Sequence, residues 1–142
     1  MILIPGGIGT IAELKNDALL NFLLQRCPHS QVTMSVCTGS ALLAKAGLLD
    51  GLAATSNKMF FELARSQGDN VEWRESARWV DAGQYVTSSG VSAGTDMALA
   101  VIERVFGAEL AEQVMNYTEY QWHRHADDDP FAQLLNQGVT PQ

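Results

Sequence analysis

Short β-prone apolar runs alternate with helical patterns along this chain, and that alternation predicts a layered α/β fold. The first run, residues 2–4, ends at a Pro-Gly-Gly loop, and the second, residues 32–36, leads into Cys-Thr-Gly-Ser. A broad apolar face over residues 19–24 and a small-residue segment over 39–46 predict helices after these two strands. The sequence therefore predicts a mostly parallel sheet with helices on both faces.

The second half of the chain predicts a hairpin and two further helices. Residues 78–81 and 84–88 flank an Ala-Gly pair, which is typical of a hairpin turn. Apolar residues recur at helical spacing from about residue 92 until Gly107, where a helix is expected to stop. The remaining predicted elements are short strands at 52–55 and 71–72 and helices at 59–65 and about 108–115.

Composition limits the class of protein and its partners. Nine Lys and Arg against sixteen Asp and Glu give a net charge of −7, so the basic surface that binds a nucleic-acid backbone is not expected. No run approaches the roughly 18 apolar residues that a membrane span needs. Two cysteines do not make a disulfide framework, which favours a cytoplasmic location. The sequence predicts one domain over residues 1–126 and a polar tail over 127–142.

Cys37 is the leading candidate for a reactive residue. It lies where a strand runs directly into a helix, with small residues on either side, and this is the layout of a nucleophile elbow. The helix that follows points its N-terminus at the sulfur, which favours the thiolate. The alternative is that Cys37 is a small buried hydrophobic residue, as most free cysteines are. Cys27, at a helix end before a proline, is expected to be structural.

Two further small-residue loops could contribute to a site. The backbone N–H groups of Gly6 and Gly7 could approach a ligand, or these glycines could form an ordinary turn. Ser92 lies at a second strand-to-helix junction and could contact a substrate, or it could cap the helix with Asp96 as an acid of the first turn.

A metal site is not expected in the tail. His123 and His125 are followed by three aspartates, but no ligand spacing supports metal binding, and a solvated segment is the preferred interpretation.

Four motifs in order resemble the ThiJ/PfpI superfamily, a branch of the class I glutamine amidotransferase-like fold. They are the Pro-Gly-Gly strand end, Val-Cys-Thr-Gly-Ser, Ala-Gly-Leu-Leu-Asp-Gly, and Gly-Val-Ser-Ala-Gly before a helix. The resemblance extends to about Tyr120 and is strongest to isonitrile hydratase-like proteins. It implies a flavodoxin-like three-layer sandwich, usually a homodimer.

The resemblance also implies a chemistry. In isonitrile hydratases a cysteine at the position of Cys37 is the nucleophile, and the next residue, here Thr38, is implicated as well. These lyases convert an isonitrile and water into an N-substituted formamide without a cofactor. Backbone donors near Gly6, Gly7 and Thr38 would steady the reacting group.

The chain departs from the family pattern in two places. The family's domain begins upstream of the Pro-Gly-Gly strand by about 60 residues, if that segment is two units of about 30 each. We therefore expect an N-terminally incomplete domain that lacks the family's acidic partner of the cysteine and is less stable and less active than a longer form. Asn57 stands where related sequences often have histidine; it can donate a hydrogen bond and bind substrate but cannot act as a base.

Three alternatives to an isonitrile hydratase-like enzyme stay open. Regulators of the AraC type carry a similar domain, so the chain could be a non-catalytic ligand sensor. It could be a redox sensor that uses an oxidisable Cys37. Glyoxalase- or deglycase-like activity belongs to sister branches of the superfamily.

Overall fold

This computed structural model describes residues 1–138 of the chain, which contain six strands and six α-helices. The strands are β1 (Ile2–Ile4), β2 (Thr33–Ser35), β3 (Ala53–Ala54), β4 (Glu72–Trp73), β5 (Trp79–Asp81) and β6 (Tyr85–Ser88). The helices are α1 (Thr10–Glu13), α2 (Asp17–Arg26), α3 (Gly39–Lys45), α4 (Phe61–Arg65), α5 (Ala93–Phe106) and α6 (Ala108–Tyr117).

The main sheet has the strand order β1-β2-β6-β5. β1, β2 and β6 are parallel, whereas β5 pairs antiparallel with β6 as the predicted hairpin. β3 and β4 form a separate parallel pair. The prediction of a mostly parallel sheet is confirmed.

Helices cover both faces of the main sheet. Tyr85 and Val86, neighbours in β6, point to opposite faces because side chains alternate along a strand. Tyr85 packs in a cluster with Leu43 of α3, and Val86 packs in a second cluster with Met97 and Val101 of α5. Two clusters on two faces make the three-layer α/β sandwich that the sequence predicts.

Local signals explain where the helices begin and end. The side chain of Asn16 accepts a hydrogen bond of 3.1 Å from the N–H of Leu19, which caps the start of α2. Gly107 ends α5 with a φ of +100°, a conformation that favours glycine. The sequence pattern missed α1 and two short 3₁₀ turns, at Cys27–His29 and Ala132–Leu134.

Residues 127–138 of the predicted tail return to the domain, and residues 139–142 lie outside the described part of the chain. Asp127 and Asp128 are exposed, as expected for solvated acids, but Asp129 is buried. The solvated interpretation is therefore wrong for Asp129, because two buried cations, Lys58 and Arg78, lie next to its carboxylate. Within residues 1–138, no helix is long and apolar enough to cross a bilayer.

Candidate active site

Cys37 lies in the sharp turn between β2 and α3. Its φ is +59°, a left-handed conformation that costs a non-glycine residue about 1–3 kcal/mol and persists only where the surroundings impose it. Three hydrogen bonds hold the residue there. Its N–H donates to the carbonyl of Ser89 at 2.8 Å, and its own carbonyl accepts from the hydroxyls of Ser56 at 3.1 Å and Ser40 at 3.3 Å. The turn therefore presents the half-buried Cys37 side chain at the carboxyl end of the sheet.

Glycines make the close packing of this turn possible. A Cβ at Gly39 would lie 2.5 Å from the carbonyl oxygen of Ile4, and one at Gly6 would lie 2.6 Å from the backbone nitrogen of Thr38. Gly94 at the start of α5 is similarly tight, since its Cβ would lie 2.8 Å from Val36. The requirement for a small residue after the cysteine, inferred from the sequence, is confirmed at Gly39.

Thr38 ties the elbow to the Pro-Gly-Gly loop. Its hydroxyl accepts a hydrogen bond of 3.1 Å from the N–H of Gly7 and shares one of 2.9 Å with the hydroxyl of Thr10. The N–H of Gly7 is thus occupied by Thr38. Thr38 is buried, and its hydrogen bonds position the loop. Gly6 packs against Thr38 and does not line the cavity.

Asn57 contacts the sulfur directly. Its Nδ2 donates to Cys37 Sγ at 3.2 Å, and its Oδ1 accepts from the N–H of Phe60 at 3.2 Å. The second bond fixes the orientation of the amide, because only the oxygen end can accept from a backbone N–H. The donor end is therefore aimed at the sulfur, where it stabilises a thiolate more than a thiol.

A cavity of about 210 Å³ opens beside Cys37. None of its lining residues carries a charge, and aliphatic and aromatic side chains make up half of them. The lining residues are Gly7, Ile8, Ile11, Cys37, Thr38, Asn57, Phe60 and Leu63.

The structure brings together most of the residues that the sequence singled out. Gly7, Cys37, Thr38 and Asn57 line one cavity. Ser92 does not. It is exposed, lies at the N-cap of α5 without a side-chain capping bond, and lines a separate depression that shares only Asn57 with the Cys37 cavity.

The second cysteine has a different environment. Cys27 is fully buried in the cluster that contains Leu43, and burial raises the pKa of its thiol despite a hydrogen bond with Thr33. This supports a structural role. No group of three or more His, Cys, Asp or Glu residues within residues 1–138 is arranged to hold a metal ion.

Sequence reasoning missed the residues that support the Cys37 loop from behind. Ser56 and Ser89 hold the backbone of Cys37, and Lys58 is buried next to Asn57. Ser56 is one of many small polar residues and does not stand out, and Ser89 contributes a backbone carbonyl, which no residue type signals. A single lysine gives no pattern that predicts burial.

Comparison with known proteins gives a consistent family. Residues 1–104 match the model of the DJ-1/PfpI family. Isonitrile hydratase of Pseudomonas putida is 32% identical over 120 residues, which cover 84% of this chain and 51% of that enzyme. The HTH-type transcriptional regulator GbdR of Pseudomonas aeruginosa is 28% identical over 141 residues, covering 99% of this chain and 38% of the regulator.

Comparison with solved structures gives the same family. The crystal structure of a ThiJ/PfpI family protein from Pseudomonas syringae superposes with a TM-score of 0.72 at 30% identity, over 92% of this chain and 52% of that one. The chain thus spans about half the length of these relatives or less. On the match over residues 1–104, this chain belongs to the DJ-1/PfpI family.

Proposed function

We propose that this chain is the core of a cysteine-dependent small-molecule enzyme that hydrates isonitriles to N-substituted formamides. One observation carries the proposal: Asn57 aims a hydrogen-bond donor at Cys37 Sγ, 3.2 Å away, at the wall of an uncharged cavity. The similarity to isonitrile hydratase supports the choice of substrate.

The reaction balances with Cys37 as the nucleophile. The thiolate adds to the terminal isonitrile carbon, an S–C bond forms, and the proton that left the thiol ends on the same carbon, giving a thioimidate. Water then adds to that carbon. The C–S bond breaks, the nitrogen keeps one proton, the sulfur recovers the other, and the formamide leaves.

The cavity suits such a substrate. Isonitriles are neutral, and their substituents are commonly apolar. An uncharged wall containing Ile8, Ile11, Phe60 and Leu63 favours apolar groups through burial and penalises charged ones, whose desolvation it cannot compensate. A volume of about 210 Å³ limits the substrate to a small one.

Each residue has a distinct part in this scheme. Asn57 stabilises the thiolate before attack and again when sulfur leaves. Thr38 holds Gly7 and the loop that borders the cavity, and is a positioning residue in the resting state. Gly6 permits the close approach of that loop to the elbow. Ser92 has no part, because it does not line the cavity.

The test is turnover of a panel of small isonitriles, followed by NMR of the formamide proton. Cys37→Ala should abolish turnover, while the matched variant Cys27→Ala should keep it in folded protein. Retained turnover in Cys37→Ala would exclude the proposal.

A second candidate is a non-catalytic ligand sensor. The alignment with the regulator GbdR covers 99% of this chain, more than the 84% covered by isonitrile hydratase. A sensor would bind isonitriles or other small apolar ligands, seen as a rise in melting temperature, without forming product. Its Cys37→Ala variant would keep that rise.

A redox sensor is separable from both. Mild peroxide followed by peptide mass spectrometry would then show sulfinic acid at Cys37 and not at Cys27. Equal oxidation of the two cysteines would count against it.

A further inference from the structure

Residues 129–138 run back across the loop that carries Asn57, and we call this segment the C-terminal clasp. The N–H of Asn136 donates to the carbonyl of Lys58 at 2.8 Å, and the N–H of Gly138 donates to the carbonyl of Met59 at 2.9 Å. The clasp therefore holds the two residues that follow Asn57 by their backbones.

The clasp also supplies a buried charge to this loop. Asp129 has its side chain only 1% exposed, and its carboxylate lies 3.6 Å from Lys58 Nζ and 3.5 Å from Arg78 Nη1. Arg78 in turn forms a close pair with Asp96, at 2.7 Å. The four charges alternate in sign, which is the arrangement that makes burial of each one tolerable.

Lys58 connects this charge network to the residues around the sulfur. Its Nζ donates to Thr55 Oγ1 at 2.9 Å, to the carbonyl of Ala77 at 2.6 Å and to the carbonyl of Ser56 at 3.4 Å. Ser56 holds the backbone of Cys37. One ammonium group thus fastens the segment from which both Ser56 and Asn57 reach Cys37.

Burial is costly for this ammonium group and the carboxylate offsets the cost. The pKa of Lys58 is lowered to about 8 because desolvation, which lowers it, outweighs the charge of Asp129, which raises it. Without Asp129 the Lys58 ammonium group would be buried without the carboxylate that lies next to it, which is unfavourable. The hydrogen bonds by which Lys58 holds residues 55–57 therefore depend on the clasp.

We propose that the C-terminal clasp positions the Cys37 site, and that Lys58 is the positioning residue through which Asp129 acts on Asn57. The inference rests on the proposed function, in that Cys37 is taken as the reacting group. It assigns a role in the reactive centre to a segment that lies outside the matched residues 1–104.

The test is a double-mutant cycle between Asp129→Asn and Asn57→Ala, with Asp128→Asn as the exposed neighbouring control. The measured quantity is the rate constant for alkylation of Cys37 by iodoacetamide at one pH near neutrality, determined by peptide mass spectrometry. Melting temperature is recorded for every variant.

Asp129→Asn and Asn57→Ala should each slow alkylation, by about twofold or more. Loss of one hydrogen bond of ordinary strength to the attacking sulfur is worth about fivefold in a rate constant, and a sulfur that is less stabilised is also more nucleophilic, which offsets roughly half of that effect on a logarithmic scale. In the double variant Asp129→Asn should add little further slowing, although its effect on melting temperature should persist. Asp128→Asn should change neither quantity.

Two results would overturn the inference. One is a lower melting temperature in Asp129→Asn with an unchanged alkylation rate. The other is full additivity of the two rate effects. If Asp129→Asn does not fold, Gly138→Ala replaces it, because the new Cβ would lie 2.7 Å from the Met59 carbonyl and the Phe60 ring and displace the end of the clasp; an unchanged alkylation rate there would decide against the inference.

The alkylation cycle needs no substrate, so its failure is separable from failure of the proposed function. Isonitrile turnover that survives in Cys37→Ala would overturn the proposed function alone. A native alkylation rate in the clasp variants would overturn only the proposed role of the clasp in positioning the Cys37 site.

Discussion

The amide of Asn57 is held at both ends, with Nδ2 on the sulfur of Cys37 and Oδ1 on the N–H of Phe60, each at 3.2 Å. An amide held in this way is a preorganised donor, and preorganised donors stabilise charge without reorganisation during the reaction. Because the same residue also lines the cavity, stabilisation of the thiolate and shaping of the substrate site depend on one side chain.

Asn57→Asp should lower the reactivity of Cys37 more than Asn57→Ala does. The aspartate keeps the shape but replaces a donor by a carboxylate, and a negative charge beside the sulfur disfavours the thiolate. The measurement is the iodoacetamide rate constant at neutral pH. Asn70→Asp, which adds the same charge at an exposed position, is the control and should leave the rate unchanged. Equal rates for Asn57→Asp and the native chain would contradict the assigned role of the amide.

Cys37 should be alkylated much faster than Cys27 in the folded chain. Cys27 has no exposed surface and its pKa is raised by burial, so both access and thiolate fraction limit it. In 6 M guanidinium the two rates should converge, which makes the denatured chain its own control. A preference for Cys27 in the folded state would show that the elbow does not present its sulfur as described.

Gly39→Ala should destabilise the fold by about 1–3 kcal/mol, because its Cβ would lie 2.5 Å from the carbonyl of Ile4 and no flexible side chain can give way. Gly9→Ala is the matched control, since nothing lies within 4 Å of its Cβ. Urea unfolding gives both free energies. A loss in Gly9→Ala as large as that in Gly39→Ala would argue against close packing of the elbow.

The layered architecture and the elbow could be predicted from the sequence because they depend on local signals. Strand-like apolar runs end at small residues, and Cys37 follows such a run directly. Asn57 was identified only through resemblance. Its contact with Cys37 joins residues 20 positions apart, which no local periodicity encodes.

The charge network behind the site could not be predicted. Lys58 and Asp129 are 71 positions apart, and Asp129 sits in a run of three aspartates whose composition favours solvent. The position of Ser92 at the start of a helix after a sheet strand favours a place in the site. In the structure Ser92 lines a different depression, which shares only Asn57 with the lining of the Cys37 cavity.

The buried ammonium group gives a pH dependence of stability with a definite sign. The pKa of Lys58 is about 8 in the folded chain against 10.5 for the free side chain, so between these values the unfolded chain binds more protons. Stability contributed by this group therefore rises with pH across that window and is lowest below it.

The check is a comparison of the native chain with Lys58→Met. Between pH 8 and 10.5, the free energy of unfolding of the native chain should gain up to about 3 kcal/mol relative to Lys58→Met. Lys45→Met, at an exposed lysine, should instead follow the native chain. A native chain that loses stability relative to Lys58→Met over this range would reverse the sign and contradict the assignment.

Isonitrile turnover should be measured for the native chain and for Cys37→Ala, with Cys27→Ala alongside. We expect formamide production by the native chain and by Cys27→Ala and none by Cys37→Ala, with all three chains folded. Formamide production by Cys37→Ala at the native rate would contradict this expectation, because the thiolate held by Asn57 would then have no part in the reaction.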